Sequence, residues 1–164
     1  MSISFTMYPD ELVSLQGLAE AYGLTFRMPY DSVVYLSGDD FVVTVAVDMD
    51  GAAIWYYDIK DDSKVTQYAL GLLLFQKRHP VSAPPSNDPD NRVRVRYELQ
   101  WAISVLANYG IDVLRGSRDW FSEYTWTVFD TEGSLRDRIL TAVNLRKAQR
   151  AHQAAAPAAA PNIV

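Results

Sequence analysis

The chain has 164 residues, 49% of them hydrophobic, no cysteine and a formal net charge of −5; it is long enough for one core and cannot form a disulfide, a thiolate metal site or a cysteine nucleophile. The charge is uneven: residues 1–62 carry 11 Asp or Glu against 2 Lys or Arg, and residues 63–164 carry 9 against 13, so the halves sum to −9 and +4. Such an acidic half repels nucleic acid, and the longest apolar run, residues 69–75 with Gly71 inside it, is far short of the ~18 residues a membrane span needs.

In chain order, residues 1–11 show no basic stretch followed by an apolar one, so no leader is expected and the protein reads as soluble and cytoplasmic. A helix is expected over 9–22. Pro9 suits its first turn, Asp10 and Glu11 suit the positive end of its dipole, and Gly23 suits its C-terminal cap. Leu12, Leu15, Leu18, Ala19 and Tyr22 recur at helical spacing. Residues 24–28 read as a short extended piece before a break at Pro29. The period then changes to two: runs over 33–36, 41–47 and 52–59 are β-branched and aromatic, separated by Ser37-Gly38-Asp39-Asp40 and Asp48-Met49-Asp50-Gly51. Three antiparallel strands in a meander are expected. Phe41, Val43, Val45 and Val47 share one face, whereas Trp55, Tyr57 and Ile59 are opposed to Ile54, Tyr56 and Asp58. Bulky groups on both faces require helices, or a partner, over each.

Asp61, Asp62 and Ser63 offer caps for a helix over 63–77, apolar all round and therefore central, a feature that also permits a homodimer. The proline-rich stretch 78–91 reads as a loop. A helix over 90–109 follows, with Val95, Leu99, Ala102, Ile103 and Leu106 on one face, although the alternation of residues 92–97 also allows an edge strand there. Residues 111–129 are irregular, with a short strand expected over 125–129. A last helix over 134–149 presents Leu135, Ile139, Ala142 and Val143, with Thr131 or Ser134 as caps. The Ala/Pro-rich residues 151–164 read as a disordered tail. The expectation is therefore an α+β fold in one domain, residues 1–150, with about four helices packed on a meander of three strands or more.

No catalytic signature is present. The two histidines, His79 and His152, have no ligand partner at helical spacing, and the serine-hydrolase elbow, the phosphate-binding loop and the dinucleotide fingerprint are all missing. Asp48-x-Asp50-Gly51 matches part of a calcium loop but lacks its third acid and terminal glutamate, so it reads as a hairpin turn. No enzyme activity, metal or cofactor is expected. Trp55 and Tyr57 read as core, and Tyr56 as a contact residue.

This layout over residues 8–150, a small acidic cysteine-free chain with a helix, a meander and further helices, resembles the immunity proteins that bacteria carry against polymorphic or secreted toxins. The resemblance lies in layout and composition and brings no motif with it. It implies that the acidic meander meets a basic toxin, often a nuclease, through Asp39, Asp40, Asp48, Asp50, Tyr56, Asp58, Asp61 and Asp62. Two other readings use the same residues differently: an inhibitor from a phage or mobile element that mimics nucleic-acid charge, and a small enzyme or ligand-binding domain with a pocket between sheet and helix.

Overall fold

Pro9 starts the first helix, α1 (Pro9–Ala21), with Asp10 and Glu11 in its first turn, and Gly23 at φ 65° ends it. The computed structural model describes residues 2–79 and 86–155. After α1 the chain enters β1 (Thr25–Tyr30), β2 (Val33–Ser37), β3 (Phe41–Asp48), β4 (Gly51–Asp61) and β5 (Lys64–Tyr68). With β6 (Phe129–Asp130) these form a six-stranded antiparallel sheet in the order β1-β2-β3-β4-β5-β6. Three of these strands depart from the sequence reading. Pro29 does not break the first extended piece; β1 carries it because an edge strand can do without one N–H, and the register shifts between Arg27 and Tyr30.

The expected helix over 63–77 is replaced by β5 and a short helix. Asp61 is the reason: its carboxylate accepts from the N–H and hydroxyl of Ser63, at 2.7 and 2.6 Å, and turns the chain back to pair with β4. Only then does α2 (Leu70–Leu72) begin, and it widens into a π-helical stretch over Leu73–Arg78. The strand expected over 125–129 shrinks to β6, two residues paired with Thr66 and Gln67.

Residues 92–97 are helical. The Asp90 carboxylate accepts the Arg92 N–H at 2.9 Å and caps α3 (Asn91–Tyr109), whose Val95, Leu99, Ala102 and Leu106 are buried. A short α4 (Ile111–Leu114) and a 3₁₀ turn over Asp119–Glu123 follow. The last helix, α5 (Gly133–Ala155), runs beyond the expected limit into the segment read as a tail, since Ala151, Gln153, Ala154 and Ala155 are good helix formers. The rest of that tail, residues 156–164, lies outside the described residues, as do residues 80–85 of the proline-rich loop expected over 78–91. Thr131 does not cap this helix through its hydroxyl, which donates to the Val65 carbonyl at 2.9 Å.

Helices cover both faces of the sheet. On one face α1, α3 and the 3₁₀ turn bury Val34, Leu36, Val43, Val45, Ile54 and Tyr56 with Leu15, Leu99 and Trp120. On the other, Ile139, Ala142 and Val143 of α5 pack on Tyr35, Val42, Tyr57, Ile59 and Val65. No described helix is long and apolar enough to cross a membrane.

Candidate partner-binding surface

The meander sorts its turns to two ends. The β1–β2 and β3–β4 turns lie at one end, joined by the Val47 N–H donating to the Ser32 carbonyl, and the β2–β3 and β4–β5 turns lie at the other. Eight residues of β3 separate the ends, a distance of roughly 25 Å at the usual strand rise. The eight acidic and aromatic candidates therefore do not form one surface.

At the first end Asp48 holds its own turn, accepting the N–H groups of Asp50 and Gly51 at 2.8 and 3.1 Å. Gly51 has φ 140°, and the Glu98 carboxylate of α3 packs where a Cβ would stand. Burial raises the Glu98 pKa, the Ala52 N–H it accepts opposes that rise, and the charge of Asp48 adds to it. Asp31 is exposed in the adjoining turn. Asp31, Asp48, Asp50 and Glu98 form no ion pair among the described residues. Apolar groups lie among them: Met49 is 52% exposed and Tyr30 47%. Tyr30, Val33, Ala46 and Ala53 are successive cross-strand neighbours in one row on the face that carries α5. Tyr30 and Ala53 of that row are exposed, and Val33 and Ala46 are half-buried. Ala46, Ala52, Ala53, Asp48, Asp50 and Glu98 also line a hollow of about 180 Å³.

At the other end three carboxylates, those of Asp39, Asp40 and Asp58, are already paired with arginines, whereas Asp61 and Asp62 form no ion pair among the described residues. Asp39 accepts from Arg146 Nε at 3.1 Å and Arg150 Nη1 at 2.8 Å. Burial pushes its pKa up, but the hydrogen bonds and charges of these arginines outweigh that and hold it below the usual carboxylate range. Arg118 bridges Asp40 and Asp58 at 2.8 and 2.7 Å. Asp58 is buried and belongs to the interior. Asp61 and Asp62 are exposed at this end, beside Lys60 and Lys64.

Tyr56 has no surface to offer a partner. It is fully buried, stacks with Phe41 at 5.6 Å between ring centroids and meets Trp120 edge-on at 4.8 Å. Ile54 and Asp58, which share its side of the strand, are buried too. Tyr57 is buried as the alternation indicated, and burial pushes its phenol up to about 12; Trp55 is half-buried against the same cluster. His79, in the stretch that reads as a loop, packs edge-on against Trp101 and Tyr109, each at 4.9 Å. Among the described residues no group of three or more His, Asp or Glu side chains is arranged to hold a metal ion.

Sequence reasoning missed Asp31, Glu98, Met49 and Tyr30. Asp31-Ser32 between two β runs is a readable turn signal, whereas Glu98 reaches the tip only through the packing of α3. No family model, curated protein or solved structure matches this chain.

Proposed function

We propose that this chain is a protein-binding inhibitor, an immunity protein that neutralises a basic toxin through the acidic end formed by the β1–β2 and β3–β4 turns. The observation that carries this reading is the contrast between the two ends of the sheet. Asp39, Asp40 and Asp58 are held by the chain's own arginines, while Asp31, Asp48, Asp50 and Glu98 have no cationic partner among the described residues. Asp48, Asp50 and Glu98 line one hollow, and the Asp48 charge disfavours that of Glu98, a cost that an incoming lysine or arginine removes. Met49 and Tyr30 supply the apolar contact that anchors such interfaces, and the alanine-lined hollow suits the stem of a long basic side chain.

The test starts from affinity capture of the basic partner from the native source, followed by co-expression with it. The wild-type chain is expected to suppress the partner's toxicity, D48K/D50K to lose that protection, and D61K/D62K, at the other end, to retain it. Equal protection by all three removes the acidic tip from the account. Capture of several unrelated nucleic-acid-binding proteins in place of one toxin points to the charge-mimic reading.

A further inference from the structure

We propose that the cleft between the β2–β3 turn, the end of α1, the loop after α4 and the outer half of α5 binds a small anion bearing a phosphate or carboxylate group, held by Arg115, Arg146 and Arg150. The site lies at the end of the sheet away from the acidic tip and goes beyond the inhibitor reading. The cleft has a volume of about 440 Å³, inside the roughly 300–1,000 Å³ of small-molecule sites.

Its most informative group is Arg146, whose side chain is only 7% exposed. Nε donates to Asp39, and Nη1 donates to the Gly23 carbonyl at 2.9 Å and to Thr25 Oγ1 at 3.1 Å. Nη2 donates to nothing among the described residues, yet it is not one of the side-chain atoms sealed from solvent. Arg146 thus brings a fixed, largely desolvated guanidinium to the cleft wall with one face of its fork unspent. Arg150 uses only Nη1, on the same Asp39 oxygen. Arg115 is exposed and forms no ion pair among the described residues.

Charge points the same way. Three arginines and two aspartates line the cleft, and Asp40 is matched by Arg118, leaving Asp39 alone against three guanidiniums. That is a positive site on a chain whose net charge is −5. Fastening α5 to the β2–β3 turn accounts for Asp39, Arg146 and Arg150. It does not account for Arg115 or for the open volume. An entering anion takes Arg146 Nη2, Arg115 and the spare donors of Arg150, and it shares these arginines with Asp39, the internal competitor.

The test is calorimetric titration of the intact protein with inorganic phosphate and, separately, with succinate, at constant ionic strength set by chloride. One saturable site is expected for at least one probe, and the tighter of the two identifies the anionic group. R115A is expected to weaken binding about tenfold, the loss of one charge-assisted hydrogen bond. D39N is expected to tighten it by removing the competitor. K147A, which removes the same charge from an exposed site on α5, is expected to leave affinity unchanged, and melting temperatures in chloride alone check that each variant folds. Saturable binding that falls in R115A and rises in D39N supports the site. No saturation with either probe, or equal loss in R115A and K147A, overturns it. Neither result bears on the acidic tip, whose test uses a basic protein.

Discussion

Glu98 is a charged side chain placed where charge is unfavourable. Burial and the neighbouring Asp48 raise its pKa above the ordinary 4.5, against the pull of the Ala52 N–H. A carboxyl whose folded pKa is raised binds its proton more tightly in the native state. The resulting penalty is absent well below the ordinary value and develops as pH rises through the folded pKa. Glu98→Gln keeps an oxygen for the Ala52 N–H and removes the charge. Its urea midpoint is expected to match wild type near pH 4 and to exceed it at pH 7; a difference that stays constant with pH contradicts the assignment. Tyr56 makes a second test. Its hydroxyl has no hydrogen-bond partner among the described residues, so Tyr56→Phe is expected to change stability by less than about 0.5 kcal/mol. Tyr56→Ala, which empties the centre of the aromatic cluster, should cost about 3–5 kcal/mol in chemical denaturation. Alternation alone placed Tyr56 opposite Trp55 and Tyr57. It could not show which side is more deeply covered, because the cover over Tyr56 comes from Trp120 and Phe121, far along the chain.

Elements whose pattern and punctuation agree were legible in the sequence, and those set by pairing were not. α1 has its proline, acids and glycine in the expected places, and β2, β3 and β4 are bounded by the turn residues that announced them. Residues 63–77 carry two compatible signals, since Val65, Tyr68 and Leu72 fit a helix while Val65-Thr66-Gln67-Tyr68 fits a strand. The open edge of β4 decides for the strand, and that edge is a tertiary fact. The segment over residues 115–124 docks on the sheet chiefly through Trp120 and through Arg118 on buried Asp58. Arg118→Ala strands that carboxylate without its partner and should cost about 3 kcal/mol. Adding Asp58→Asn to Arg118→Ala should recover part of the loss, because the buried charge goes too. A double variant less stable than Arg118→Ala alone, measured by urea unfolding, contradicts the pairing.

Across the whole molecule, the lopsided charge of the sequence becomes an arrangement that the sequence did not foretell. The basic C-terminal half pairs Arg118, Arg146 and Arg150 with carboxylates of the acidic N-terminal half at one end of the sheet; elsewhere Arg96 pairs with Glu11, and at the opposite end Arg138 reaches the Tyr30 hydroxyl and none of the four carboxylates there. The other end, with Asp31, Asp48, Asp50 and Glu98, keeps its field. Of the eight candidate contacts read from the sequence, Asp48 and Asp50 lie at that end, because period-two alternation assigns faces but not which turn an arginine from a distant helix will reach. A field concentrated at one end steers a basic partner and is screened by salt, so its signature is an association rate that falls as ionic strength rises. The most direct measurement is the association rate of the captured basic partner with wild type, D48K/D50K and D61K/D62K from low to physiological salt. At low salt D48K/D50K should associate at least about tenfold more slowly than wild type and lose most of the salt dependence, while D61K/D62K stays close to wild type. Equal rates and equal salt slopes for D48K/D50K and wild type contradict the account.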